Sequence, residues 1–344
     1  MSNSASSFAD VSSGCTAGTP VPADSPIRED IVDAVRRVRE TTPLAQSFTN
    51  FVTINLVANA QLAAGGTAAM SFLPDDVIET AKIAGANYIN VGTLLPFYKD
   101  ALPEIAQRLN YLDKPWVLDP VAAGIGHTRT AILQAFKAAP PTMIRANASE
   151  VIALANMWGL NTETVGDASE HRPAGVESVD DVESATGAAV TLAQYLTEQH
   201  AKHSSHDAST RCAVAVSGIA DLVTDGETVY RLPGGSAMMT KITGAGCSLG
   251  GVAATYLAVS DPLTAALSAS LLYNRAAEIA DTTSHGPGSF QVAFLDALWN
   301  VTAEQVAESE ILVQWFQFPL MRELITVFPN KTSTRNNKGR NNNE

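Results

Sequence analysis

The sequence has 344 residues, of which 46% are apolar and 17% are charged, and it carries a net charge of −13 at pH 7. This length permits one large domain or two ordinary ones, and the composition describes a globular chain that is able to bury a sizeable core. The acidic balance argues against a nucleic-acid partner, which requires a basic surface, and no apolar run reaches the roughly 18–20 residues of a membrane span.

The three cysteines, Cys15, Cys212 and Cys247, are too few and too scattered for a disulfide framework, and none has the spacing of a metal site. Their usage is typical of a reducing compartment, so we expect a cytoplasmic protein. Residues 1–24 are rich in serine and alanine but lack the basic start and apolar core of a secretory signal. We interpret them as a disordered leader.

The ordered part of the chain is predicted to begin at a helix, with Ser25 as its N-cap and Pro26 at its first position. Apolar residues then recur at helical spacing until about Glu40. The segment 46–52 is extended and partly polar. A second helix is predicted over 54–64, because two glycines follow it.

From residue 67 onward, short apolar strands alternate with helices of about ten residues. This alternation indicates parallel βαβ units, so we predict an α/β fold with a mostly parallel central sheet and helices on both of its faces. The strands are predicted at 67–72 (buried), 87–91, 116–118, 142–145 and 212–217, and the helices at 74–84, up to about 112, at 131–138, from 149 onward and at 185–199.

After the last of these strands, Asp225 and Gly226 predict the turn of a β-hairpin over 222–230. The remainder is expected to be helical to about residue 309, with an interruption near 285–288. The predicted organisation is a disordered leader at 1–24, one domain at 25–309 with polar insertions at about 159–182 and 200–211, a helical extension at 310–328 and a disordered tail at 329–344. That tail is basic, so a nucleic-acid-binding arm is the alternative interpretation.

A glycine loop, Gly244-Ala245-Gly246-Cys247, leads into an apolar helical segment. Glycine lets the chain turn sharply and approach a ligand, and the N–H groups and dipole of a helix N-terminus favour phosphate. The same positive field predicts a lowered pKa for the Cys247 thiol, which would suit an acid/base residue. The alternative is an ordinary turn followed by a buried, inert cysteine.

Polar or glycine residues also follow four of the predicted strands. In an open parallel sheet, ligands bind beyond the carboxyl ends of the strands, so we expect these residues to share one rim with the glycine loop. Each of them taken alone is also compatible with an ordinary cap or turn. The residues are Asn90, Gly92 and Thr93 after the first strand, Asp119 after the second, Arg145 and Asn147 after the third, and Ser217 after the fourth.

Two acidic residues on this rim suit a divalent cation. Asp119 precedes a proline, and it is either the first residue of an Asx turn or a carboxylate held over a Mg²⁺–phosphate site. Ser149 is predicted as the N-cap of a helix, with Glu150 interacting with the helix dipole. Asp119 and Glu150 together would supply oxygen ligands to Mg²⁺, directly or through water.

Arg145 lies next to that helix start and is suited to bind a phosphate chain.

Five segments of the chain form a combined pattern: Thr49–Val52, Asn90–Leu94, Trp116–Val121, Arg145–Glu150 and Gly244–Cys247. In this order and combination they resemble the motifs of the hydroxyethylthiazole kinases, which belong to the ribokinase-like superfamily. The resemblance covers about residues 25–309. It implies a three-layer αβα fold and the phosphorylation of the primary alcohol of 4-methyl-5-(2-hydroxyethyl)thiazole by ATP and Mg²⁺, a step of thiamine salvage.

The resemblance also implies a homotrimer with its sites between subunits, so that the stretch around Asn50 would serve a neighbouring site. Cysteine at position 247, where many members of the superfamily have aspartate, favours the thiazole kinase. The resemblance further implies a role for each site residue. Arg145, Asn147 and Ser217 would contact ATP, and Asn50, Met70, Gly92 and Gly244 would contact or border the thiazole. Asp119 and Glu150 would hold Mg²⁺, and Cys247 would accept the proton of the alcohol.

Two of the departures from the family pattern are single-residue changes at or next to predicted site residues. Ala146 replaces the usual glycine between Arg145 and Asn147, which is compatible with a negative φ at that position, and Ser217 replaces a frequent threonine while retaining the hydroxyl. The alternatives are a related kinase for hydroxymethylpyrimidine or pyridoxal, a dehydratase that repairs hydrated nicotinamide nucleotides, and a non-catalytic nucleotide-binding subunit. Cys247 argues against the dehydratase, which normally has aspartate at this position.

Overall fold

The computed structural model describes residues 18–160, 182–203 and 211–315, which form one sheet covered by helices. Local sequence signals explain four of the helix starts, because proline occupies the first turn at Pro26, Pro74, Pro262 and Pro287. The helices are α1 (Pro26–Thr41), α2 (Ile54–Ala63), α3 (Pro74–Ile83), α4 (Tyr98–Tyr111), α5 (His127–Ala135), α6 (Ala148–Met157), α7 (Thr186–His203), α8 (Ala245–Leu257), α9 (Pro262–Thr283), α10 (Pro287–Asn300) and α11 (Ala303–Ala307).

The sheet contains ten strands within the described residues, in the order β1-β10-β9-β8-β7-β6-β5-β4-β2-β3. The six strands β2 to β7 are parallel to one another, whereas β8, β9, β10 and β1 are each antiparallel to their neighbours. The strands are β1 (Thr19–Pro20), β2 (Leu44–Phe48), β3 (Thr67–Met70), β4 (Ala86–Asn90), β5 (Trp116–Asp119), β6 (Met143–Asn147), β7 (Ala213–Ser217), β8 (Asp221–Thr224), β9 (Thr228–Leu232) and β10 (Leu312–Trp315).

Each face of the sheet is buried in its own hydrophobic core. On β5, for example, Val117 packs into one core while Trp116 and Leu118 pack into the other. This follows from the two-residue period of a strand, and it explains why the strands contain continuous apolar runs. The first core is shared with α1, α2 and α8 to α11, and the second with α3 to α7. The predicted three-layer α/β fold is therefore confirmed.

The predicted hairpin is also confirmed: β8 and β9 pair in antiparallel register around a turn in which Gly226 has φ 90°. Two details differ from the sequence prediction. The strand β3 lies at the edge of the sheet, so its residues are exposed or half-buried rather than buried. The helix α7 continues to His203, so the predicted polar insertion at 200–211 does not begin at residue 200.

At the C-terminus, the prediction of a helix over 310–328 is wrong for Leu312–Trp315, which form β10. A short apolar run does not distinguish a helix from a strand by its periodicity. Here the free edge of β9 decides, because β10 satisfies its backbone hydrogen-bonding groups. The prediction of a disordered leader is wrong for residues 18–24, since β1 pairs with β10 in turn.

The remaining parts of those predictions lie outside the described residues: 1–17 of the leader, 161–181 and 204–210 of the insertions, and the chain beyond 315. Among the helices that the structure does describe, none combines the length and the apolar character needed to cross a membrane.

Candidate active site

The polar residues predicted at the strand ends share one face and one edge of the sheet. Tyr88, Val117, Met143 and Ala215 all point into the core that contains α8. Two residues further along their strands are Asn90, Asp119, Arg145 (on β6, two after Met143) and Ser217, so the strand period places them on the same face. Asn90 lies opposite Asp119, and Asn147 lies opposite Ser217.

The glycine loop brings the start of α8 against this group. Gly244 is the N-cap of α8 with φ 90°, and a Cβ atom there would lie 2.8 Å from Thr53 Cγ2. A Cβ atom on Gly246 would lie 2.5 Å from Arg145 Nη1. Both positions therefore need glycine for close approach, the first also for its backbone conformation. Arg145 contacts the first turn of α8, where free N–H groups favour an anion.

Cys247, in that first turn, is connected to the strand ends through two asparagines. Asn50 Nδ2 donates to Cys247 Sγ at 3.7 Å and to Asn90 Oδ1 at 2.9 Å. The backbone N–H of Gly92 donates to the same Asn90 Oδ1 at 2.9 Å. The predicted residues Asn50, Gly92 and Cys247 are thus brought together within one chain.

Asp119 is completely buried and is bonded asymmetrically. Its Oδ2 accepts from the Tyr88 hydroxyl at 2.8 Å and from Asn90 Nδ2 at 3.0 Å, and Arg145 Nη1 lies 3.8 Å from it. Its Oδ1 is buried without a hydrogen-bond partner in the described part of the chain. Burial raises the pKa of Asp119, and the charge of Arg145 and the two hydrogen bonds oppose that rise.

Arg145 connects Asp119 to the predicted nucleotide side. Its Nη2 donates to Ser217 Oγ at 2.7 Å, so the guanidinium spans from β5 to β7. Burial lowers the pKa of Arg145, but attraction to Asp119 and Glu150 more than offsets this, and the net pKa is raised. The guanidinium is therefore a permanent positive charge between Asp119, Ser217 and the start of α8.

The junction between β6 and α6 corrects one sequence prediction. The N-cap of α6 is Asn147, not Ser149, because Asn147 Oδ1 accepts the N–H of Glu150 at 2.9 Å and Glu150 Oε2 accepts the N–H of Asn147 at 2.9 Å. This is a capping box, which satisfies two N–H groups that the helix start leaves open. The described non-glycine residues with positive φ do not include Ala146, so an alanine fits the backbone at this position, where the family usually has glycine.

Glu150 also holds the loop that follows β5. Its Oε1 accepts the N–H of Ala122 at 2.9 Å, and Ala122 has φ 58° in the left-handed region. Burial and then the charge of Asp119 raise the pKa of Glu150 to about 7, although the two backbone hydrogen bonds work in the opposite direction. The predicted carboxylate pair is thus electrostatically coupled across the β5 and β6 ends.

The predicted lowering of the Cys247 pKa is wrong for this structure. Burial, followed by the negative charge of Asp119, raises the pKa of Cys247 to about 11. Desolvation penalises the thiolate more than Thr53, Arg145 and Asn90 favour it. This balance depends on which side chains surround the sulfur, which the local glycine-cysteine pattern does not reveal.

Met70 is the most peripheral of the predicted site residues. It lies at the end of the edge strand β3, opposite Ser47 of β2, and is half-buried against the α8-side core. It is therefore on the correct face of the sheet but outside the hydrogen-bonded chain that runs from Cys247 to Ser217.

Three residues that the sequence reasoning did not single out help to build the site. Tyr88 bonds Asp119, Thr53 packs against Gly244, and Arg129 donates to the carbonyl oxygens of Val91 and Gly92 at 3.0 and 2.7 Å. For Tyr88 a signal existed, since it stands two residues before Asn90 on the same strand face.

Within the described residues, no group of three or more His, Cys, Asp or Glu side chains is arranged to hold a metal ion. Mg²⁺ does not require such a group, because it usually binds through one or two carboxylates together with phosphates and water. The buried, unpartnered Oδ1 of Asp119 fits this requirement. Both oxygens of Glu150 already accept N–H groups, so Glu150 fits contact through water better than direct ligation.

Comparison with known proteins gives consistent matches over most of the chain. The model of the hydroxyethylthiazole kinase family matches residues 35–304. The hydroxyethylthiazole kinase of Bifidobacterium longum subsp. infantis is 98% identical over 314 residues, which cover 91% of this chain and 100% of that protein. The corresponding protein of Bifidobacterium adolescentis is 69% identical over 286 residues, covering 83% and 95%.

A solved structure of a hydroxyethylthiazole kinase protein from Pyrococcus horikoshii has the same fold. Its TM-score is 0.70 at 28% sequence identity, and the match covers 84% of this chain and 100% of that chain.

Proposed function

The chain belongs to the hydroxyethylthiazole kinase family, and we propose that it transfers a phosphoryl group at the rim formed by the ends of β4 to β7 and the start of α8. It is a kinase, and ATP is its co-substrate. The acceptor is the hydroxyl of the hydroxyethyl group of 4-methyl-5-(2-hydroxyethyl)thiazole, and the product enters thiamine synthesis by salvage. The observation that carries this proposal is the position of Arg145, between Ser217, Asp119 and the first turn of α8.

Phosphoryl transfer depends mainly on positioning and on neutralising phosphate charge. Arg145 supplies a buried positive charge, the start of α8 supplies N–H groups, and the Ser217 hydroxyl bonds the guanidinium. Asn147 contributes indirectly, because its side chain caps α6 and thereby fixes the end of β6. These residues form the proposed ATP side of the site.

Asp119 and Glu150 are the residues that would hold Mg²⁺, Asp119 through its unpartnered Oδ1 and Glu150 through water. When bound, the ion supplies positive charge that neutralises the phosphates of the nucleotide. Arg145 shares this task from the opposite side of Asp119. The charge of Asp119 raises the pKa of Glu150, so a cation placed near the two carboxyl groups would favour the ionised form of both.

Cys247 is the proposed acceptor of the alcohol proton, a role that requires the thiolate. In the loose transition state of phosphoryl transfer the nucleophile needs little help from a base, so the proton leaves late. The raised pKa of Cys247 has two main causes, burial and the charge of Asp119. Neutralisation of Asp119 removes the second, and the N–H donated by Asn50 stabilises the sulfur once it is charged.

The thiazole is proposed to lie beside Gly244 and Asn50, with Gly92 and Met70 bordering it. Gly244 lets the start of α8 approach Thr53 closely, and Asn50 is within hydrogen-bond reach of Cys247. The alcohol would then be held next to the sulfur, at the end of the site opposite Ser217.

The test is phosphate transfer from ATP to a panel of alcohols: the hydroxyethylthiazole, hydroxymethylpyrimidine and pyridoxal. We expect the highest kcat/KM with the thiazole, and faster turnover of the pyrimidine would overturn the substrate assignment. Cys247→Ala is expected to retain binding of ATP and thiazole but to lose most of the turnover. The matched control is Cys212→Ala, because Cys212 is a buried cysteine in the core on the other face of the sheet. Equal turnover of the two variants would remove the proton-acceptor role.

We also propose that the enzyme is a homotrimer in the cytoplasm, with sites between subunits. In support, large apolar side chains are exposed in the loops after β2, β3 and β4: Phe51 at 50%, Leu73 at 64% and Phe97 at 45%. Association with a second copy of the chain would bury such side chains. Sedimentation analysis of the purified protein should give three times the mass of the chain, and a monomer that is fully active would contradict the proposal. Fractionation of cells should recover the protein with the cytoplasmic enzymes.

A further inference from the structure

A tyrosine of the core shared with α8 is hydrogen-bonded to a residue of the candidate active site. Tyr88 is fully buried on β4, and its hydroxyl donates to Asp119 Oδ2 at 2.8 Å. Within that core, Tyr256 is equally buried, but its hydroxyl has no hydrogen-bond partner in the described residues. The Tyr88 hydroxyl is therefore engaged with a site residue, while the Tyr256 hydroxyl is not.

The direction of each hydrogen bond around Tyr88 is fixed by the backbone. Asn90 Oδ1 accepts from the N–H of Gly92 and from Asn50, so Asn90 Nδ2 must be the end that faces Tyr88 and Asp119. Asn90 Nδ2 donates to the Tyr88 oxygen at 2.9 Å, which leaves the single Tyr88 proton for Asp119. The network thus has one consistent orientation.

The consequence for Asp119 is an unequal use of its two oxygens. Oδ2 receives hydrogen bonds from Tyr88 and Asn90, and Arg145 is the nearest cation to the same atom. Oδ1, although buried, receives none from the described residues. A carboxylate held in this way has a fixed rotation, and the hydrogen-bonding and ligating capacity of Oδ1 is left unused by the described residues.

The helix that carries Cys247 is shaped to admit the tyrosine ring. A Cβ atom at Gly250 of α8 would lie 2.3 Å from Tyr88 Cε2 and 2.8 Å from the hydroxyl oxygen. Glycine is unfavourable in the interior of a helix, and Gly250 has no positive φ that would require it. The contact with Tyr88 accounts for it: α8 approaches the strand closely enough to bring both Cys247 and the phenol to Asp119.

We propose that Tyr88 is a positioning residue for Asp119, which holds the carboxylate so that Oδ1 is presented to the divalent cation that accompanies ATP. The inference rests on the proposed function, because it assumes that Asp119 holds the ion. The role requires the hydroxyl of Tyr88. A phenylalanine ring at position 88 would fill the same volume between β4 and α8 but could not donate a hydrogen bond to Asp119.

The test measures Mn²⁺ binding by electron paramagnetic resonance in the presence of a non-hydrolysable ATP analogue. Tyr88→Phe is compared with Tyr256→Phe, which removes a buried, unpartnered hydroxyl from the same core. We expect the Kd for Mn²⁺ to rise about tenfold in Tyr88→Phe, since a hydrogen bond to a charged group is lost, and to be unchanged in Tyr256→Phe. In turnover assays, the Mg²⁺ concentration for half-maximal rate should rise in parallel, with the KM for the thiazole unchanged.

A Kd within twofold of the wild type in Tyr88→Phe would overturn the inference, whatever happens to thermal stability, because it would leave Tyr88 a purely structural residue. A tighter Kd would overturn it as well. The variant Asp119→Asn separates this failure from a failure of the proposed function. If Asp119→Asn weakens Mn²⁺ binding and Tyr88→Phe does not, only the role of Tyr88 is lost. If neither variant weakens binding, the metal role of Asp119 is wrong and the inference fails with it.

Discussion

The side-chain amide of Asn50 donates to Cys247 Sγ at 3.7 Å, although 197 positions separate the two residues in the sequence. The amide cannot turn the other way, because Asn50 Oδ1 accepts the N–H of Val52 at 3.2 Å. The sulfur therefore faces an N–H donor, which favours its charged form over its neutral form. This contact joins the loop after β2 to the start of α8.

The first prediction follows from that contact. Asn50→Ala removes the donor to the sulfur and to Asn90, so we expect kcat to fall about tenfold, as for the loss of a hydrogen bond to a charged group. Steady-state kinetics with ATP and the thiazole will measure it. Asn59→Ala is the control, since Asn59 bonds only an exposed neighbour on α2 among the contacts described. An equal effect of the two substitutions would show that the donor to Cys247 is unimportant.

The second prediction concerns the hydroxyl of Ser217, the residue that stands where the family frequently has threonine. Ser217→Ala leaves Arg145 Nη2 without its 2.7 Å partner, and we expect the KM for ATP to rise about tenfold. Ser217→Thr keeps the hydroxyl and should remain within about twofold of the wild type. If both variants raise KM equally, the size of the side chain matters rather than its hydrogen bond, and the nucleotide role of the hydroxyl is wrong.

The third prediction concerns backbone strain beside Asp119. Ala122 has φ 58°, a left-handed conformation that costs an alanine about 1–2 kcal/mol and a glycine almost nothing. Ala122→Gly should therefore raise the free energy of unfolding by about 0.5–1 kcal/mol, after the greater entropy of glycine in the unfolded chain is subtracted. Urea denaturation will measure the change.

The matched control for that substitution is the next residue. Ala123 is fully buried and is not among the described residues with positive φ, so Ala123→Gly should destabilise the protein by about 1 kcal/mol. Changes of the same sign in both variants would contradict the strain argument.

The fourth prediction concerns pH. Burial raises the pKa of Asp221 to about 6, even though its Oδ1 accepts the N–H of Gly218 at 3.0 Å. The usual value of an unfolded aspartate is about 3.9, so the unfolded state ionises first as the pH rises. The stability associated with protonated Asp221 is thus present below pH 4 and is lost as the pH rises through 6.

Asp221→Asn keeps an oxygen acceptor for Gly218 but does not titrate. We expect the wild type to lose on the order of 2 kcal/mol of unfolding free energy relative to this variant between pH 4 and pH 7.5. Urea denaturation at both pH values will measure the difference. A difference that is independent of pH would mean that Asp221 is ionised in the folded protein throughout this range.

Much of the architecture was predictable because its signals are local. Proline in the first turns of α1 and α3, the Asp225-Gly226 turn and the alternation of apolar strands with helices each report on a few neighbouring residues. The C-terminal strand β10 was not predictable in this way. Its four residues suit a helix or a strand equally, and only the unpaired edge of β9 selects the strand.

The sequence by itself determined that polar residues follow consecutive strands and that a glycine loop opens a helix, because strand periodicity and glycine conformation are properties of the local chain. Tertiary structure alone decided which of these groups touch: Asn50 with Cys247, Tyr88 with Asp119, and Arg145 with Ser217. It also decided that the Cys247 pKa rises rather than falls. Burial and neighbouring charge arise from packing between distant segments, and no local pattern contains them.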